Sequence, residues 1–130
     1  MPSTFYRLHG IQVMACAPDG KKLRDERDAV DLIGEAIGHG AGLVLIPVER
    51  LEDDFFRLRT RVAGEIVQKF VTYGLRLAIA GDISPYLKES AALRAFVYEA
   101  NHGDHVWFVA GLAELEERLS RDAQRRNAEG

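Results

Sequence analysis

The chain has 130 residues, 47% of them hydrophobic and 28% charged, the balance of a globular protein rather than a disordered or fibrous one. Its 17 basic and 20 acidic residues leave a net charge of -3, which gives no electrostatic basis for nucleic acid or an anionic membrane as a partner. The longest apolar run, residues 41–48, falls far short of the roughly 20 residues that cross a bilayer. The single cysteine, Cys16, excludes an intrachain disulfide and makes a reducing cytoplasm the expected location.

Residues 5–8 and 11–16 read as two short strands joined at His9-Gly10, a hairpin whose glycine can supply a positive φ. The N-terminal MPSTFYRLHG lacks the charged-then-apolar order of a signal peptide. Pro18-Asp19-Gly20 makes a turn. Ala29, Val30, Ile33, Ala36 and Ile37 recur at three- and four-residue steps and predict a first helix from about Arg27 to Gly38. The glycines at 38, 40 and 42 follow that helix and precede a strand. A dinucleotide-binding loop needs the reverse order, with the glycines opening a helix, so they read as a helix stop and tight loop. Residues 43–48 form a third strand.

The stretch 52–82 organises the rest. Phe55, Phe56, Leu58, Val62, Ala63, Ile66, Val67 and Phe70 share one broad arc of a helical wheel, so one long second helix is expected from Asp53-Asp54 to Gly74. Leu75, Leu77, Ala78 and Ile79 then make a fourth strand, apolar enough to be covered on both faces. Pro85 stands where a short helical turn can begin. A third helix follows over residues 91–101, a fifth strand over 105–109, and a last helix with Leu112, Leu115 and Leu119 as its stripe. Beyond Ser120 the polar run lacks an apolar period and is expected to fray. The order β-β-α-β-α-β-α-β-α predicts an α/β fold, with one mixed, mostly parallel sheet of about five strands and four helices. Residues 1–120 form the expected domain and 121–130 a polar C-terminal tail.

Phe55-Phe56, Leu58, Thr60, Ala63-Gly64-Glu65, Gln68-Lys69-Phe70, Tyr73, Ala78-Ile79 and Gly81-Asp82 resemble the most distinctive block of a bacterial family, domain of unknown function 4180. Phe96, Tyr98-Glu99, Asn101 and Gly103 form a second matching block. The chain departs from the pattern at Arg61, where glycine is usual, and at Ala100, where serine is common. That family has no established activity. The element order is also similar to that of STAS (sulfate transporter and anti-sigma factor antagonist) domains, which are regulatory or binding modules. Several are switched by phosphorylation at the start of the helix after the third strand. Here that position holds Asp53-Asp54, so the resemblance does not carry the switch.

Ligands of parallel α/β sheets bind beyond the carboxyl ends of the strands. Asp82, after the fourth strand, and Arg59, on the apolar arc of the second helix, are the candidates there. Arg59 either snorkels to water or pairs with a carboxylate such as Asp82. Glu65, Gln68 and Lys69 form a polar helix face suited to a protein contact, and Glu99 and Asn101 close the third helix. No spacing of serine, cysteine, histidine or carboxylate singles out a nucleophile, a general base or a metal site, and no cofactor is implied. The sequence therefore supports a cytoplasmic STAS-like regulatory or protein-interaction module, with a protein partner or self-association as its mode. The alternative is a small enzyme or ligand-binding protein with its site near Asp82 and Arg59.

Overall fold

The computed structural model describes residues 3–129 of the chain and side chains through residue 127; Met1 and Pro2 at the start and Gly130 at the end of the polar tail lie outside the described residues. Strands β1 (Thr4–Leu8) and β2 (Ile11–Ala15) form the expected hairpin, and β3 (Leu43–Pro47), β4 (Arg76–Ala80) and β5 (Val106–Val109) complete one mixed five-stranded sheet. The strands lie side by side in chain order, with β1 antiparallel to β2 and every other pairing parallel. Each crossover thus steps in the same direction. Right-handed crossovers that never reverse put all their helices on one face.

That face carries α1 (Glu26–Gly38), α2 (Val62–Thr72), α3 (Ser84–Glu89) and α4 (Ala91–His102). Met14, Val44, Ile46, Leu77, Ile79, Val106 and Phe108 point toward them and meet Ile33, Ile66, Phe70, Leu93 and Val97 in the main core. The alternate residues, Val13, Leu43, Leu45, Ala78, Trp107 and Val109, face the other way and pack under Leu115 and Leu119 of α5 (Leu112–Glu129). One helix therefore covers a face that α1, α2 and α4 cover on the opposite side.

Two segments differ from the sequence reading. The long second helix is interrupted: residues Asp53–Phe56 and Leu58–Thr60 are 3-10 turns, and the α-helix starts only at Val62. Arg61 separates them in the left-handed region, at φ 67°. Thr60 Oγ1 donates to the carbonyls of Asp54 and Arg57, both at 2.7 Å, and rounds the corner. This folding-back buries Phe55 and Phe56 side by side, where a straight helix would have staggered them. The second difference is the C-terminal run, which stays helical to Glu129 instead of fraying beyond Ser120. Side-chain pairs replace the missing apolar period: Asp122 lies within 4 Å of Arg76, Arg125 and Arg126.

Candidate functional site

The carboxyl rim contains two neighbouring depressions. The larger, of about 810 Å³, lies between the 3-10 turns and the start of α4, lined by Phe56, Arg59, Thr60, Tyr86 and Ser90 among others. The smaller, of about 370 Å³, is lined by Glu49, Leu51, Gly81 and Asp82. Asp53 and Tyr86 border both. Tyr86 stacks on Phe56 with ring centroids 4.2 Å apart and donates its hydroxyl to Asp53 at 2.7 Å. The accepting carboxylate stabilises the protonated phenol and raises the Tyr86 pKa. The wall between the depressions is thus a neutral tyrosine fixed on both sides.

Asp82 and Arg59 do not pair. Asp82 is exposed, and its carboxylate accepts from Ser84 N–H at 2.9 Å, opening α3; the hydrogen bonds from Ser84 pull its pKa below the ordinary 3.8. Gly81 before it has φ 142° and presses against Val48, where a Cβ would come within 2.8 Å of the valine side chain. Arg59 stands exposed on its 3-10 turn rather than on the apolar arc of a helix, and among the described residues it has no ion-pair or hydrogen-bond partner. The two residues face different depressions.

The remaining candidates lie elsewhere. Glu65 and Gln68 are exposed on α2 and Lys69 is half-buried; Gln68 reaches Thr72 Oγ1 at 3.4 Å, and no ion pair closes between Glu65 and Lys69. Glu99 is exposed on α4. Asn101 is part-buried, and its Oδ1 accepts from the main-chain N–H of Phe108 at 2.7 Å and from Arg118 Nη1 at 3.3 Å. It is a helical residue that ties α4 to the edge of β5.

Two groups escaped the sequence reading. One is the tie between α5 and the sheet. The guanidinium groups of Arg76 and Arg118 each lie over the Trp107 ring, at 4.4 and 4.3 Å from its centroid. Trp107 Nε1 donates to the Gly103 carbonyl at 2.8 Å. Burial opposes the charge on Asp122, yet the hydrogen bond from Arg125 and the charges of Arg76, Arg126 and Arg125 outweigh it and hold its pKa below 3.8. On the far side of α5, His9 meets Glu116 at 2.8 Å.

The other missed group is apolar. Among the described residues, the exposed large hydrophobic side chains are Ile37, Val71, Tyr73 and Tyr98. Ile37 is in the last turn of α1, Val71 and Tyr73 end α2, and Tyr98 is in the second half of α4, 63% exposed with His102 against one side of its ring. These helices run antiparallel to the strands, so all four residues occupy the same end of the same layer, the end opposite the carboxyl rim. Glu65 and Gln68 precede them on α2.

Residues 8–119 match the family model described as Domain of unknown function (DUF4180), and the chain belongs to that family. No curated protein and no solved structure matches it. No helix among the described residues is long and apolar enough to cross a membrane.

Proposed function

We propose that this protein is a STAS-like regulatory module of the bacterial cytoplasm that works by binding another protein. The observation that carries this reading is the exposure of Ile37, Val71, Tyr73 and Tyr98, all in the C-terminal halves or at the ends of three successive helices of one layer. Soluble proteins leave single hydrophobic residues on their surfaces at random, whereas several gathered at one end, next to polar residues, are the composition of a contact patch. Glu65, Gln68 and Lys69 would supply its polar rim, and Glu99 would border it from α4. The element order, similar to that of STAS binding modules, supports the same reading at the level of fold. In affinity capture from a lysate of the source organism, a partner held by the wild-type protein should be lost with Val71→Ser/Tyr73→Ser, a folded surface variant. Identical captures from both would refute the assignment.

A second reading is favoured by the Tyr86–Asp53 pair between the two rim depressions, a fixed polar group of the kind that orients a small ligand. In it the chain is a small enzyme or ligand-binding protein, with Arg59 and Asp82 as charged walls. A thermal-shift screen of metabolites would support it if a hit were lost with Arg59→Ala and with Tyr86→Phe. A screen without such a hit would leave the interaction module standing.

A further inference from the structure

The two edges of the sheet end differently. At β5 the outward main-chain N–H of Phe108 is occupied by Asn101 Oδ1, and Arg118 closes over the same asparagine. A strand arriving there finds one of its donors taken. Among the described residues the β1 edge carries no such device. Gly42 N–H donates to the Gln12 carbonyl and Cys16 N–H to the Leu45 carbonyl, both at 2.9 Å, so the even-numbered residues of β2 turn their main chain toward β3. Ile11, Val13 and Ala15 therefore bond to β1, opposite Leu8, Tyr6 and Thr4. By the same alternation Phe5 and Arg7 turn their N–H and C=O groups outward. Among the described residues no side chain accepts from those two N–H groups, and neither a proline nor a bulge interrupts Thr4–Leu8.

We infer that β1 is a self-association edge, pairing antiparallel with β1 of a second copy of this chain and joining two sheets into one. The strand's own sequence selects that partner and the register. Centred on Tyr6, the pairing overlaps all of Thr4–Leu8 and sets Phe5 of each copy in a hydrogen-bonded pair with Arg7 of the other, aromatic ring beside guanidinium. Tyr6 then lies opposite Tyr6 of the second copy, and Thr4 opposite Leu8. Centring on Arg7 instead would oppose two like charges. The surface beside the edge is apolar as well. His39 packs its ring on Phe5, centroids 4.7 Å apart, and Ile37, 51% exposed, stands two residues before it.

Sedimentation velocity over a concentration series tests this. The wild type is expected to convert from monomer to dimer as concentration rises. Arg7→Pro removes only an outward N–H and leaves the β1–β2 ladder intact. The substitution removes two intermolecular hydrogen bonds per dimer and should weaken association on the order of tenfold or more, with an unchanged circular dichroism spectrum. Independently, Tyr6→Cys should cross-link under mild oxidation, since the position faces itself across the two-fold, and Thr4→Cys, which faces Leu8, should not. A protein monomeric at every concentration overturns the inference. So does a dimer that survives Arg7→Pro and gives no Tyr6→Cys cross-link. If Arg7→Pro fails to fold, the cysteine pair decides alone.

Discussion

The two layers that sandwich the sheet are built on different principles. Under α1, α2 and α4 the contact is wide and apolar, with Phe70, Ile66, Ile33 and Leu93 all essentially inaccessible. Among the described residues of α5 only Leu115 and Leu119 are fully buried, and the helix is tied down by polar groups: Arg118 to Asn101, Asp122 to Arg76, Glu116 to His9. The outer surfaces differ in the opposite sense. The layer with the richer core also exposes four large hydrophobic side chains at one end, whereas the described exposed residues of α5 include none. The helix that needs polar ties to hold its place presents a solvated back, and the helices secured by their core are free to present apolar surface.

Breaking the apolar layer should have the largest effect. Phe70→Ala empties the centre of the main core and is expected to cost about 3–5 kcal/mol in chemical denaturation. Breaking the polar layer should cost less. Asn101→Ala leaves the Phe108 N–H without its acceptor and removes the side-chain half of the Arg118 contact, that to the main-chain carbonyl remaining, for about 1–3 kcal/mol; Asn101→Asp, which keeps an acceptor opposite Arg118, should lose less. A loss as large as that of Phe70→Ala would show that the polar layer is no weaker than the apolar one.

The layers should also part in acid. The pKa values of Asp122 and Asp28 are both lowered from 3.8, Asp28 chiefly by the hydrogen bond from the Arg24 main chain. Their contribution is present above the unfolded-state value, near 3.8, and is lost as pH falls through the lower folded-state values. Asp122 holds α5, so hydrogen exchange in α5 should quicken in that window before exchange in α2 does. The smallest effect sharpens the picture of the bend that starts α2. Arg61 pays for a left-handed φ that glycine adopts freely, so Arg61→Gly should stabilise the protein by about 0.5–1 kcal/mol in thermal melts.

Strands, sheet class and the main core were legible because period-2 and period-3.6 patterns are local. The bend at Arg61 was not, since Phe55, Phe56 and Leu58 keep helix-like spacing whether the backbone winds as α-helix or as 3-10 turns. Asp82 and Arg59 could be placed at the carboxyl rim, but their separation into different depressions followed from that same bend. The Tyr86–Asp53 pair spans 33 residues of chain and the Arg118–Asn101 contact 17, distances over which no periodicity speaks. The ordered end of α5 was hidden for a related reason: its stabilising partner, Arg76, belongs to a strand.

The proposed contact surface can be tested at once against the solvated back of α5. A photo-activated cross-linking residue would be placed in living cells at Tyr73, on the closing turn of α2, and separately at Gln124, on the exposed side of α5. Adducts with a distinct partner protein are expected from Tyr73 and none from Gln124. Adducts from Gln124 alone, or equal yields from both positions, would contradict the proposal.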